Sequence, residues 1–229
     1  MSSETPAVPK CIGIILDGNR RWARERGLPT FFGHKQGFDN LMDAARWVQD
    51  AGVEHLFVWA FSTENWKRSD EEVAYLMDLY RHMAKEKMPE LSKENMKIRF
   101  AGQRERFAPD IQNSMVEAEE TSKNNTGLTL WVGLSYGGRA EIIDAAQKLQ
   151  KQGIEITEKS LRAALWTADM PDPDIIIRTS GEQRLSGFLT WSGIYSELFF
   201  IKPHWPAFSK ADLDAILKEY AEHERRIGK

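Results

Sequence analysis

Cys11-Ile12-Gly13-Ile14-Ile15-Leu16 runs directly into Asp17-Gly18-Asn19-Arg20-Arg21-Trp22. A short apolar run bounded by turn formers predicts a buried central strand. The strand ends in a carboxylate, a glycine and a pair of arginines. In an open α/β sheet, ligands bind in the crevice beyond the carboxyl ends of the strands. That end therefore offers an oxygen for a metal, a backbone open to close approach and two guanidiniums. Those are the parts that hold a diphosphate with its magnesium. The plainer reading ends the strand at a turn, with Asp17 as a helix cap.

Outward from this stretch, residues 20–27 read as a helical turn region closed by Gly27 and Pro29. Gly33-His34-Lys35-Gln36-Gly37 then leads into a helix of about four turns. Its apolar face is Phe38, Leu41, Met42, Ala45 and Val48, and Gly52 ends it. Residues 53–61 predict a second buried strand, and a β-α-β crossover makes the first two strands parallel. A polar group, Ser62-Thr63-Glu64-Asn65-Trp66-Lys67-Arg68, follows that strand.

From Asp70 a long amphipathic helix carries Val73, Leu76, Met77, Tyr80, Met83, Ala84 and Met88 on one stripe. Such a stripe suits ordinary core packing, and equally the wall of a channel for a flexible apolar ligand. Further strands at 96–101, 128–134, 174–178 and 198–201 alternate with helices. One helix spans 105–123, one follows Ser135-Tyr136-Gly137-Gly138-Arg139, and two others start from Thr157 and Ser209 caps. No linker or repeat interrupts the pattern. The prediction is a single α/β domain over residues 1–229, with residues 1–10 as a flexible tail. A mostly parallel sheet of about six strands is flanked by helices.

Composition narrows the classes. With 41% hydrophobic and 28% charged residues the chain is globular, and its net charge of -3 argues against general nucleic-acid binding. The single cysteine, Cys11, lies inside the apolar run and cannot form an internal disulfide. A packed structural thiol in a reducing compartment is the expectation. No apolar signal region and no membrane-length span is visible, which places the protein in the cytoplasm.

Three strand ends carry charge: Asp17 with Arg21, Glu64 with Asn65 and Arg68, and Arg178 with Arg184. Strand ends of a parallel sheet converge on one edge, so these groups are expected to share one crevice. Arg178 and Arg184, with Ser186 among turn residues, suit a second diphosphate, because guanidinium makes bidentate bonds that lysine cannot. The alternative is surface pairing with carboxylates. There is no Walker loop, dinucleotide fingerprint or zinc spacing, and His34 and His204 stand alone. One competing motif is Gly133-Leu134-Ser135-Tyr136-Gly137, which fits the nucleophile elbow of a serine hydrolase. Asp174 and His204 follow in the right chain order. Against it, Asp174 enters its strand and would lie at the wrong sheet edge.

Taken together, Asp17-Gly18-Asn19-Arg20-Arg21-Trp22-Ala23, Gly33-His34-Lys35, Phe61-Ser62-Thr63-Glu64-Asn65-Trp66 and Tyr136-Gly137-Gly138-Arg139 resemble the cis-prenyltransferase family. So do Ile177-Arg178-Thr179-Ser180-Gly181-Glu182, Arg184-Leu185-Ser186, Trp191 and Tyr195-Ser196-Glu197-Leu198. The similarity is greatest to the undecaprenyl diphosphate synthases and spans nearly the whole chain. It implies a homodimeric α/β enzyme with an apolar tunnel, adding isopentenyl diphosphate units in cis to an allylic diphosphate such as farnesyl diphosphate.

By that resemblance Asp17 holds Mg2+, and Glu197 completes the metal site, from across the dimer interface. Gly18, Asn19, Arg20, Arg21 and Trp22 cradle the allylic diphosphate, near His34. Ser62 and Asn65 position the proton to be lost, with Glu64, Trp66 and Arg68 on the same substrate-binding loop. Arg178, Arg184 and Ser186 bind isopentenyl diphosphate, and Arg226-Ile227-Gly228 is the family's C-terminal R-x-G pattern. Product release implies transient contact with a membrane surface. Thr30 stands where many members carry a basic residue, and Gly187 where asparagine is frequent; Leu16 and Gln36 also depart from the usual pattern. The family includes non-catalytic partner subunits, which typically lose the metal aspartate and part of the diphosphate constellation; this chain keeps both.

Overall fold

The computed structural model describes residues 8–223. Its strands are β1 (Cys11–Ile15), β2 (His55–Ser62), β3 (Lys97–Ala101), β4 (Thr129–Tyr136), β5 (Ile175–Arg178) and β6 (Glu197–Phe200). Between and after them lie α1 (Asn19–Glu25), α2 (Thr30–Asp50), α3 (Asp70–His82), α4 (Met88–Lys93), α5 (Pro109–Ser122), α6 (Gly138–Lys151), α7 (Glu158–Ala164) and α8 (Lys210–Glu222). The six strands form one sheet in the order β3-β4-β2-β1-β5-β6, every neighbouring pair parallel.

That order fixes where a ligand can bind. From β1 the chain crosses to β2 on one side, and it returns much later to β5 on the other. The winding reverses between β1 and β5, which opens a crevice beyond their carboxyl ends. Side chains alternate along β1, so Ile12 and Ile14 join the core on one face, and Cys11 and Ile15 the core on the other. The first core includes residues of α2, α3, α5 and α8. The second is closed by Phe188, Leu189 and Trp166, and α6 packs on α7 in a smaller cluster of its own. Cys11 is fully buried, and burial pushes its thiol upward, so it remains a protonated structural group.

The helix expected to run for about four turns is longer, with 21 residues beginning at Thr30. Pro29 initiates it rather than closing the segment before. Gly33 shows why the two helices touch: a Cβ there would lie 2.0 Å from the Asn19 carbonyl oxygen at the start of α1. That close approach sets His34 beside the Asp17 turn. The long helix from Asp70 widens into a π turn over Met83–Lys87 before Pro89, which has no N–H to continue the ladder. Of the expected tail, residues 1–7 lie outside the described residues; Pro9 is buried, and the Lys10 N–H donates to Asp174 Oδ2 at 2.7 Å. The Arg226-Ile227-Gly228 pattern also lies outside them. No helix of the described residues is long and apolar enough to cross a membrane.

Candidate active site

Asp17 follows β1 at the point where the winding reverses. Its carbonyl accepts the Trp205 N–H at 2.9 Å and the Thr179 hydroxyl at 2.6 Å. Its carboxylate is held from two sides. Arg21 Nη2 donates to Oδ1 at 3.0 Å, and Arg178 Nη2 donates to Oδ2 at 2.9 Å. Partial burial pushes the Asp17 carboxyl up, but the bonds from Arg178 and Arg21 outweigh it and hold the group below the usual carboxylate range. The side chain is therefore a fixed anion and not a helix cap. The capping position of α1 is Gly18, at φ +106°, a conformation that favours glycine.

Arg178 ends β5 and is only 5% exposed. Nη1 donates to Ser186 Oγ at 3.0 Å and to the Arg184 carbonyl, while Nε has no partner among the described residues. A buried donor left open is costly unless a ligand takes it. Arg184 is more exposed and pairs with Glu182, whose other oxygen accepts Arg21 Nη1 at 2.7 Å. Glu182 thus bridges arginines from the two expected diphosphate sites. Glu72, in the first turn of α3, joins two groups of the expected allylic site on the other flank. Its Oε1 lies 3.1 Å from His34 Nε2 and accepts Arg68 Nη1 at 3.0 Å. Burial pulls the His34 imidazole down, and the Glu72 bond offsets part of that.

Sequence reasoning assigned no role to Glu72 or Glu182. The i,i+4 spacing of Arg68 and Glu72 is the signal that points to the first. Glu182 lies two residues from Arg184, but only the fold brings Arg21 to it.

A cleft of about 260 Å³ brings together Asp17, Asn19, His34, Ser62, Glu64, Asn65, Arg68, Arg178 and Ser186. Beside it, about 330 Å³ is lined by Asp17, Gly18, Asn19, Arg20, Arg21, His34 and Arg68. Both share Leu16 and Asn19 with a narrow apolar cavity of about 40 Å³, lined by Leu41, Ala60, Leu76, Leu79, Tyr80 and Met83. Asn65 Oδ1 accepts the Ser62 N–H at 3.1 Å, which fixes the loop after β2.

Arg184 lies outside both linings, on the Glu182 side, and three further expected site residues stand apart. Trp22 lies under the Arg26 guanidinium, 4.4 Å from the ring centre. Trp66 packs edge-to-face on Phe61 and tilted against Phe107, with Nε1 donating to Ser135 Oγ at 2.9 Å; it supports the loop from the core side. Glu197 opens β6 in register with Ile175, itself opposite Ile12. It lies at the opposite sheet edge from Asp17, at least about 10 Å away along the strands. Within one chain the two carboxylates do not share a cation, and Glu197 instead accepts His223 Nδ1 at 2.7 Å.

The hydrolase constellation is not assembled. Ser135 is fully buried, taking the Trp66 N–H and donating to Gln103 Oε1 at 3.2 Å. Asp174 binds the Lys10 and Cys11 amides at the amino edge of the sheet, while His204 bonds to Ser180 and Glu25.

Comparison with known proteins agrees with this geometry. Residues 15–228 match the prenyltransferase family model described as that of undecaprenyl diphosphate synthase. An isoprenyl transferase of Thermotoga maritima is 43% identical over 226 residues, covering 96% of this chain and 97% of its own. One from Neisseria gonorrhoeae is 44% identical over 227 residues, covering 99% and 92%. The crystal structure of lavandulyl diphosphate synthase from Lavandula x intermedia, in complex with dimethylallyl diphosphate, superposes with a TM-score of 0.92 at 32% identity, covering 97% of this chain and 99% of that one. The chain belongs to the undecaprenyl diphosphate synthase family of cis-prenyltransferases, and is a prenyltransferase enzyme.

Proposed function

We propose that this enzyme elongates cis-prenyl chains by Mg2+-dependent, sequential condensation of isopentenyl diphosphate with an allylic primer, farnesyl diphosphate. The product is a long polyprenyl diphosphate such as undecaprenyl diphosphate. One observation carries the reading: a single carboxylate, Asp17, stands between guanidiniums at 3.0 Å (Arg21) and 2.9 Å (Arg178). Two diphosphates would lie side by side across it. Gly18 to Arg21, with His34 and Arg68, would take the allylic one; Arg178, Arg184 and Ser186 would take the homoallylic one.

The donor set fits magnesium, which keeps several waters and is held by one or two carboxylates plus substrate phosphates. Asp17 would hold it, and the ion would neutralise charge developing on the departing diphosphate. The Arg21 guanidinium would stabilise the same charge as the allylic C–O bond breaks and diphosphate leaves with the electron pair. The alkene of isopentenyl diphosphate then forms the new C–C bond. The proton lost from the resulting cation passes to a diphosphate oxygen, with Ser62 and Asn65 orienting the group that loses it. Because the carbocation must meet an alkene before water, close positioning and a dry cavity matter more than a strong protein base. The apolar cavity past Ala60 would open into a product tunnel between α2 and α3.

A homodimer is part of this reading. Ile194 and Tyr195, 70% and 69% exposed, precede the edge strand β6, whose Leu198 is 44% exposed, so apolar surface is open along that edge. Glu197 lies on that edge and would reach a metal only through a second copy. Product release would involve transient contact with a membrane surface.

The test is incubation with Mg2+, farnesyl diphosphate and labelled isopentenyl diphosphate, followed by sizing of the lipid. Products growing in five-carbon steps are expected. Absence of any such product, with shorter allylic primers equally inert, would overturn the proposal.

A further inference from the structure

His204 is bonded at both ring nitrogens. Nδ1 lies 2.6 Å from Ser180 Oγ, and Nε2 lies 2.9 Å from Glu25 Oε1. A carboxylate only accepts, so Nε2 carries the proton toward Glu25, and in the neutral ring Nδ1 accepts the Ser180 hydroxyl. Three segments meet in this one side chain: the last residue of α1, the turn after β5, and the loop that leads to Trp205.

The chain sits directly beneath the Asp17 turn. A Cβ on Gly18 would lie 2.7 Å from His204 Nδ1 and 2.8 Å from Ser180 Oγ, so the Gly18 backbone rests on that pair. The surrounding backbone is tied to the same segments. Ser180 N–H donates to the Pro203 carbonyl at 2.7 Å, and Gly181 N–H to that of Ile201 at 2.8 Å. Trp205 N–H and the Thr179 hydroxyl both end on the Asp17 carbonyl. Ser180 itself is held at φ +77°, outside the usual range for a residue with a side chain. A single ring nitrogen, Nδ1, thus lies against both Gly18, from the proposed allylic site, and Ser180, four residues before Arg184 of the proposed homoallylic site, while Nε2 on the far side holds Glu25 at the end of α1.

We propose that His204 is a positioning residue for condensation: its bonds to Ser180 and Glu25 set the register between the two diphosphate-binding turns. This rests on the condensation reading above. Its physical basis is that reaction between two held substrates is sensitive to small misplacement. Loosening the support beneath both turns should slow turnover more than it weakens binding of either diphosphate. Ser180 lines neither cleft of the site, so it acts through Gly18 and the loop rather than on substrate.

The test has two readouts on the full chain. In steady-state assays His204→Ala should lower kcat about tenfold, with each KM changed less than about threefold. His204→Asn, which retains a polar atom toward Ser180, should recover most of that loss. Ser180→Ala should resemble His204→Ala, and the double variant should lose no more than either alone. Ser180→Ala also carries the test if His204→Ala does not fold.

Independently of turnover, hydrogen exchange of the unliganded protein should quicken in both the 17–22 and 179–184 segments of His204→Ala. Turnover within twofold of the parent, fully additive losses, or faster exchange confined to residues 203–205 would each overturn the inference. An inactive parent protein whose two segments still loosen together would count against the condensation reading alone.

Discussion

Asp17 carries two guanidiniums on its carboxylate in the free enzyme, and a diphosphate would compete for both. Charge-assisted bonds are strong, yet phosphate offers the same donors more oxygens. Exchange of partners would release Asp17 toward a cation as the arginines turn to substrate. Asp17→Ala should therefore keep the fold by circular dichroism while losing at least about a hundredfold in turnover at saturating Mg2+, since charge stabilisation by a metal is worth several kcal/mol. Retention of more than half the parent turnover would show that Asp17 is not the anchor. His34 gives a pH dependence with a definite sign. Burial lowers its folded-state value below the ordinary one, so the unfolded chain binds the proton first. Stability should fall as pH drops from about 6.5 toward the folded-state value, and remain unaffected by this group above that window. Urea midpoints at several pH values should show that slope flattened in His34→Asn; an unchanged slope would exclude His34 as its source. Asp17, Arg21 and Arg178 were legible in the sequence as polar groups ending apolar runs. Glu182 was not, because a carboxylate that neutralises a binding arginine resembles any surface carboxylate until the fold sets Arg21 2.7 Å from it.

Elements hold these residues through contacts of unequal legibility. The central strands β1 and β5 were readable because apolar runs buried on both faces have few other uses. The caps at Thr157 and Ser209 were readable too, and both side chains accept an N–H three residues on, from Ser160 and Asp212. The start of α2 was misread, since Pro29, Gly33 and Gly37 look like breakers. In the fold Gly33 and Gly37 admit the Asn19 backbone and side chain, a tertiary reason invisible to local pattern. The end of β4 was also missed. Ser135 stays within the strand at φ +48°, and Tyr136 follows it into a buried polar knot. There Glu141, fully buried in the first turn of α6, accepts the Tyr136 hydroxyl at 2.5 Å, the Thr167 N–H at 3.0 Å and the Thr167 hydroxyl at 2.8 Å. Burial pushes its carboxyl upward. Glu141→Ala would strand two buried hydroxyls and a buried amide, at a cost of about 2–4 kcal/mol. Urea unfolding should show a lower midpoint with unchanged slope, and Glu141→Gln should fall between. A loss under about 1 kcal/mol would mean that water replaces the carboxylate there.

At the scale of the whole molecule, the sheet order joins what the sequence separates. Asp17 and Arg178 are 161 residues apart and in contact, because β1 lies between β2 and β5. Strand order is set by how helices cover two faces, which no local periodicity encodes; convergence on one edge was readable, adjacency was not. The same sheet positions Ala60. The register of β2 against β4 shifts between Trp59 and Phe61, so Ala60 sits at an irregularity of the kind that re-aims a strand end near a site. It borders both the cleft with Asp17 and Arg178 and the narrow cavity with Leu76, Tyr80 and Met83. That cavity is narrow, and a growing product lengthening into it would press α2 and α3 apart. Each added unit would favour doing so, since five carbons at about 0.8 kcal/mol each gain roughly 4 kcal/mol on burial. The chain would then lengthen until something fixed obstructs it. A leucine at position 60 would obstruct early, at the neck between cleft and cavity, where backbone rather than flexible side chain holds it. The Tyr80 hydroxyl already donates to the Ala60 carbonyl at 3.0 Å and limits how far the neck can yield. Ala60→Leu should thus shift products from about ten or more units to a few, because the added isobutyl group occupies the path of the chain at a neck with little room to yield. The first condensation should be largely spared, since Ala60 belongs to neither set of guanidiniums. Reverse-phase separation of labelled products reads this directly; an unaltered length distribution would show that the product leaves by another path.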